Sequence, residues 1–311
     1  MKPDAQPEHG HGKGVFFTPH NIGAFLLVTL IWGSTWLVIK DQVGTVAPGW
    51  SVTWRFALGA IAMFAFAAWR KEPLALNREG MRLALILGVT QFILNFQFVY
   101  SAEVHITSGI VAVLYALLMV PNALIARVFL KQRVSGGFVQ GSAIAIVGIA
   151  MLLVHEYRMA PPEGQVALGI ALTVCGIASA SVANVLQATQ GARQQPMLAL
   201  LAWAMLLGSL GDAAFTWVTA GPPQFDMRWS YVSGILYLAV IGSVVTFPIY
   251  FRLIRDLGPG RAAYNGVLVP IVAMLLSTLF EGYRWSWLAA GGGLLALTGL
   301  IVALRARSPS R

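Results

Sequence analysis

Charge is what this sequence has least of. Only 11% of its 311 residues are Asp, Glu, Lys or Arg, where an average soluble domain has about 25%, and 57% are hydrophobic. A water-soluble fold of this length could not cover its apolar residues with so few charges. Cysteine is nearly absent as well. The single Cys175 excludes an intramolecular disulfide framework and a cysteine metal cage, and it is expected as a packed thiol within an apolar helix. The five histidines stand at 9, 11, 20, 105 and 155, with no His-Glu-x-x-His among them, and no phosphate cradle with Lys and Ser/Thr is present. An intramembrane enzyme would need a nucleophile with its base, an aspartate pair or metal ligands at depth, and the chain offers none at convincing spacing. No catalytic residue, metal or cofactor is therefore expected. Met1 to His20 also lacks the apolar core of a signal peptide and reads as a disordered tail.

What is present is a series of long apolar stretches. A hydrocarbon core of about 30 Å needs about 20 apolar residues per helix. Such stretches fall near 22–40, 47–69, 82–101, 107–127, 137–154, 167–187, 197–219, 230–252, 260–280 and 286–304. A transmembrane β-barrel would alternate apolar and polar residues, whereas Ile144 to Val154 and Gly291 to Leu304 are apolar all round. The expected fold is an all-α polytopic membrane protein with ten transmembrane helices.

The net charge of +9 has a topological meaning. Lys2, Lys13, Arg70, Lys71, Arg78, Arg82, Arg127, Lys131, Arg133, Arg193, Arg252, Arg255, Arg261, Arg305, Arg307 and Arg311 lie in the tails and even-numbered connections. Only Lys40, Arg158, Arg228 and Arg284 lie in the odd ones. The positive-inside rule then makes both termini cytoplasmic, which requires an even number of spans. The basic residues point to anionic lipid headgroups and not to nucleic acid.

One half of the chain can be laid on the other. Tyr115 falls on Tyr264 and Pro121 on Pro270, an offset of 149; after a two-residue insertion Arg133 meets Arg284, Gly141 meets Gly292 and Gly148 meets Gly299. The expected division is a cytoplasmic tail (1–21), a first five-helix repeat (22–155), a second (156–305) and a short cytoplasmic tail (306–311). Five is odd, so the second repeat enters the membrane inverted, the geometry of alternating access around a midplane site.

Leu30-Ile31-Trp32-Gly33-Ser34-Thr35-Trp36 with Val38-Ile39-Lys40, then Arg55-Phe56, Pro121 before Phe129-Leu130, and Pro270 before Leu279-Phe280-Glu281 resemble the EamA-type transporters of the drug/metabolite transporter superfamily. The resemblance covers about residues 22–304. It is greatest to bacterial inner-membrane exporters of aromatic and other neutral amino acids, and implies a multi-pass carrier. Where that family often has Gly-Glu after the fourth span, this chain has Lys131-Gln132, whereas Phe280-Glu281 keeps the acid in the second copy.

Polar residues inside spans are expensive and mark candidate sites. Ser108, Tyr115 and Asn122 recur every seven residues, forming one stripe with a drift of only about 20° per step. Tyr264 and Asn265 lie opposite in the repeat. Pro121 and Pro270 remove backbone hydrogen bonds and can bend their helices. Gln91 and Asn95 share a face at spacing four, with Tyr100 about a turn further on; Asn184 lies on a similar face of the sixth span. Neutral amides and hydroxyls can bond both ends of a zwitterion. Most tryptophans, Trp50 among them, read as interfacial anchors, but Trp32 and Trp203 lie deeper and can form an aromatic wall. These residues compose the candidate substrate site, with interhelical bonding and packing as the alternative reading.

Internal carboxylates are few. Asp212 is the main candidate for charge coupling, or it pairs with Arg55; Arg55 in turn can orient a substrate carboxylate. The composition favours a carrier exporting neutral, aromatic amino acids or related metabolites, through a cavity framed mainly by the third, fourth, eighth and ninth helices. The alternative is proton-coupled export of amphipathic drugs or quaternary cations through Asp212. The expected partners are a small-molecule substrate and the lipid bilayer. Oligomeric state stays open.

Overall fold

The computed structural model describes residues 19–131, 133–159, 165–257, 262 and 265–306. Over them the chain forms helices α1 Asn21–Gln42, α2 Pro48–Trp69, α3 Arg78–Glu103, α4 Ser108–Phe129, α5 Gly136–Met159, α6 Val166–Ala188, α7 Met197–Ala220, α8 Trp229–Asp256, α9 Asn265–Phe280 and α10 Trp287–Arg305. Nine of these helices among the described residues are long and apolar enough to cross a membrane; α9 is a shorter apolar helix of 16 residues. The ninth expected span, 260–280, begins outside the described residues. The expected tail 1–21 lies outside them almost entirely, and that at 306–311 does so after Ala306. The protein is an all-α polytopic membrane protein.

Local chemistry sets several helix boundaries. Pro48 occupies the first turn of α2, where its missing N–H is no loss and its fixed φ suits the helix. The Asn77 side chain caps α3, accepting from Gly80 N at 2.7 Å, and Ser286 caps α10, accepting from Ala289 N at 3.1 Å. Gly221, at φ +81, ends α7 in a backbone conformation open to glycine.

Two helices carry a wide turn in mid-course. In α3 the segment Gly88–Asn95 is π-helical, and in α8 so is Tyr237–Val245. The Ser243 hydroxyl donates to Leu238 O, five residues back, at 2.7 Å, the reach of a π-helical rung. The two segments begin at 88 and 237, the same offset of 149 that relates Tyr115 to Tyr264.

The helices pair in a definite pattern. α1 packs on α9 and α8, α2 on α7 and α8, α3 on α6 and α7, α4 on α9 and α6, and α5 on α10. The α5–α10 seam is made by small residues. A side chain on Gly148 would put its Cβ 2.6 Å from Gly292 O and 2.8 Å from Ala296 Cα, so the two backbones touch.

Outward-facing surfaces are apolar. Val218, Val128, Phe129 and Leu294 are exposed along helix flanks, and Trp69, Trp229 and Trp287 stand exposed near helix ends, where an aromatic belt meets headgroups. Two expectations are corrected here. Cys175 is exposed and faces out of the bundle instead of packing inside it. Trp50 is buried, stacked on Trp54 and edge-on to Trp217, because α2 turns that face toward α7.

Candidate functional site

A cavity of about 130 Å³, partly open on one side, lies where α1, α2, α3, α4, α6, α8 and α9 converge. Trp32 of α1, Gln91 and Asn95 of α3 and Phe247 of α8 lie well inside their helices, whereas Asn265 and Gly266 open α9.

One wall is aromatic. Trp32 meets Phe247 and Tyr250 edge-on, at centroid distances of 5.7 and 4.7 Å, and its indole N–H donates to Thr246 Oγ1 at 2.9 Å. Trp36 lies 5.1 Å from the Tyr115 ring. Phe96 completes the surface. These rings are already held by neighbours, which fixes the shape of the wall before any ligand enters.

Amides and hydroxyls form the second element. Gln91, Asn95, Asn184, Asn265, Thr35 and Tyr115 all line the cavity. Tyr115 donates its hydroxyl to Asn95 Oδ1 at 2.7 Å, tying α4 to α3. Thr29 donates to Asn265 Oδ1 at 3.1 Å, while Asn265 Nδ2 is buried without a partner among the described residues. The π-helical turn of α3 carries both Gln91 and Asn95, and its width turns the two amides onto the cavity.

Arg55 is the third element. It projects from α2 into the lining and is 2% exposed. Its guanidinium lies 4.5 Å from the Phe96 ring centre and 5.0 Å from that of Phe56. Nε and Nη2 donate to Ser243 Oγ at 3.3 Å, and Nη1 to the Tyr100 hydroxyl at 3.4 Å. Tyr100, fully buried behind it, donates on to Gln42 Oε1 at 3.3 Å. Among the described residues the only ion pairs within 4.0 Å are Arg228–Asp226 and Arg252–Asp256. Arg55 is thus a buried cation held by rings and hydroxyls, with no carboxylate within 4.0 Å among the described residues.

The sequence candidates divide on this geometry. Trp32, Arg55, Gln91, Asn95, Tyr115, Asn184, Asn265 and Pro270 line the cavity. Tyr100 backs Arg55. Tyr264 lies outside the described residues. Ser108 is at the start of α4, donating to Glu281 Oε2 at 2.7 Å. Asn122 is buried away from the lining, and Pro121 is also off it, although the tight turn at Ala116–Leu118 that precedes it lines the cavity through Ala116 and Leu118. Trp203 packs on Phe64 and donates to Leu74 O at 2.9 Å, away from the cavity. Asp212 does not pair with Arg55. It accepts from Gln97 Nε2 at 2.9 Å and stands between α3 and α7, also off the lining.

Phe247, Tyr250, Phe96 and Thr35 were not among the candidates, and α1 and α6 contribute more of the lining than expected. Phe247 and Tyr250 share one face of α8 at spacing three, a signal available in the sequence but hidden among many apolar neighbours. Among the described residues no group of three or more His, Cys, Asp or Glu could hold a metal ion.

Comparison with known proteins agrees with this architecture. The model of the EamA-like transporter family matches residues 21–154 and again 167–305. An uncharacterized inner membrane transporter, YedA, of Escherichia coli K12 is 28% identical over 276 residues, spanning 86% of each chain. A probable amino-acid metabolite efflux pump of Salmonella typhimurium is 27% identical over 290 residues, 89% of this chain and 92% of its own. A crystal structure described only as that of a protein superposes with a TM-score of 0.70 at 17% identity, over 91% of this chain and 96% of the other.

Proposed function

Because the chain belongs to the EamA-like transporter family of small-molecule carriers, we propose that it exports neutral amino acids, aromatic ones foremost, or related small carboxylates, by alternating access through the Arg55 cavity. The observation that carries this reading is the unneutralised guanidinium in an aromatic, amide-lined pocket. A buried charge without a partner is costly, and a substrate carboxylate would supply the missing partner in the forked geometry that guanidinium favours. The ammonium of an amino acid would meet amide oxygens, the Tyr115 hydroxyl and ring faces. A planar side chain would lie on Trp32, Trp36 and Phe96. The same cation disfavours the quaternary-ammonium alternative, as does the position of Asp212 off the lining.

Several features support an exchange between two inverted halves. The family model matches twice, the wide turns recur at the offset of the sequence repeat, and the helix pairs interchange as a twofold would require. Swapping halves turns α1–α9 into α6–α4 and α3–α7 into α8–α2, both of which are packed. The distribution of Lys and Arg supports cytoplasmic termini. The efflux role named for one relative supports the export direction and substrate class.

Counterflow in proteoliposomes tests the substrate. Unlabelled L-tryptophan and indole-3-propionate inside the vesicles are expected to stimulate entry of labelled L-tryptophan, and tryptamine to do so about tenfold less. A charge-assisted hydrogen bond is worth about 1.5–3 kcal/mol, and about 1.4 kcal/mol is tenfold. Equal stimulation by tryptamine would remove the carboxylate from the recognition scheme. Flux without saturation or trans-stimulation would replace the carrier by a channel.

A further inference from the structure

Four helix ends meet beyond the cavity, where α1 finishes at Gln42, α3 at Glu103 and α9 at Phe280, and α4 begins at Ser108. Cross-bonds close this end. The Lys40 ammonium donates to the backbone carbonyls of Glu103 and, at 3.1 Å, of Ile106. Ser108 holds Glu281 at 2.7 Å, and Tyr100 holds Gln42 at 3.3 Å. Within this closure sits Glu103, which is 0% exposed and has neither carboxyl oxygen hydrogen-bonded. Glu281 Oε1 is likewise buried without a partner. The transport site makes no use of these two acids.

We propose that Glu103 and Glu281, with Lys40 between their helix ends, form a proton-binding latch: one proton on the carboxylate pair holds this end of the cavity closed, and its release to water lets the end open. The charge count leads there. Two carboxylates and one ammonium leave one negative charge over, offset only by the more weakly acting Arg55, in a place where an unpaired anion is costly. A single proton neutralises it. Lys40 cannot remove the need, since it has no carboxylate within 4.0 Å among the described residues and its donors are directed at main-chain carbonyls.

The other titratable or charged groups acting here are few. Arg55 of α2 acts on Glu103 more weakly than Lys40 or Glu281 does, Tyr100 of α3 and Tyr115 of α4 feel its charge, and Glu156 of α5 accepts from Thr107 N at 3.3 Å. His105 lies in the α3–α4 connection, and His155 of α5 is engaged with Arg284 O and Ser286. Opening would part α1 and α3 from α4 and α9, release Lys40 from Ile106 O in the α3–α4 connection and hydrate both acids. The carboxyl O–H proton then passes to water, leaving an anion that water can solvate. Acid at this face therefore favours the closed form and alkali the open one.

This latch rests on the carrier reading of the cavity, and its test is independent of the substrate. Nitroxides on Gly44→Cys and Arg284→Cys, in a Cys175→Ser background, report the separation of the α1 and α9 ends by pulsed electron resonance on the full chain in nanodiscs. Both positions are exposed, and the Gly44 Cβ site is open. Between pH 5 and 9 the short-distance population should fall as pH rises, by about half or more. In Glu103→Gln, which keeps the shape without the ionisation, it should stay at its acid value throughout, and Glu281→Gln should flatten the titration in the same way. A distance distribution that ignores pH in the parent protein, or an unchanged titration in Glu103→Gln, overturns the latch. A titration that is present while L-tryptophan counterflow is absent leaves the latch standing and removes only the substrate.

Discussion

Arg55→Gln is expected to lower L-tryptophan counterflow at subsaturating concentration about thirtyfold or more, with yield and thermal transition of the solubilised protein little changed. Truncating one partner of a desolvated charge pair costs about 2–5 kcal/mol, and about 1.4 kcal/mol is a factor of ten. In the empty protein the guanidinium has no carboxylate to lose, since its contacts are Ser243, Tyr100 and two rings. Removing it therefore strips no carboxylate of a hydrogen-bond partner. Arg55→Lys should recover part of the rate, because an ammonium keeps the charge but not the two-pronged geometry. Equal counterflow in Arg55→Gln and parent protein would mean that the carboxylate binds elsewhere.

Gly148→Leu is expected to act the opposite way, on folding and not on recognition. Its Cβ would collide with Gly292 O and the Ala296 backbone, neither of which is a flexible side-chain tip. The α5 and α10 axes would have to part along much of their shared length. Overpacking of this kind costs about 1–3 kcal/mol, which should appear as a lowered thermal transition and a smaller monodisperse yield. Gly291→Leu is the control. It lies on the exposed side of α10, where the nearest atom to a new Cβ is Met151 Cε at 3.8 Å. Protein of Gly148→Leu that does fold should keep its substrate preference, since neither α5 nor α10 lines the cavity. A thermal transition for Gly148→Leu equal to that of Gly291→Leu would show that the seam is looser than its distances imply.

The helices were legible in the sequence because the bilayer imposes a length and a polarity that local composition must satisfy. Within a helix, spacing also picked out several residues that line the cavity. Gln91 with Asn95, and Tyr115 opposite Asn265, were found from period and repeat and do face one cavity. What spacing cannot give is the partner across an interface. Asp212 looked like a possible mate for Arg55, yet its carboxyl turns to Gln97 between α3 and α7. Trp203 looked deep by its place in the span, but its indole reaches the Leu74 carbonyl in the α2–α3 connection. Phe247 and Tyr250 were missed for the converse reason: in a chain where lipid-facing and core-facing positions are both apolar, an aromatic residue does not declare its side. Glu103 and Glu281 were not connected with one another because they lie at span ends, where water normally accounts for a carboxylate.

The wide turns of α3 and α8 have a consequence of their own. A turn that closes over five residues instead of four accommodates one more residue than the surrounding helix, and about 3.6 residues make a full circle in an α-helix. Each such residue rotates everything beyond it by roughly 100°. The turn therefore works as a dislocation does in a crystal, joining two well-ordered stretches that are out of phase. In α3 the stretch before Gly88 can keep its packing against α7 while the stretch after Asn95 presents Phe96, Val99 and Tyr100 to the Arg55 side. A dislocation can also glide. If the extra residue moved along the helix by one position, the rungs it passed would be exchanged and not lost, and a single amide could turn toward or away from the cavity while both ends of the helix stayed where they are.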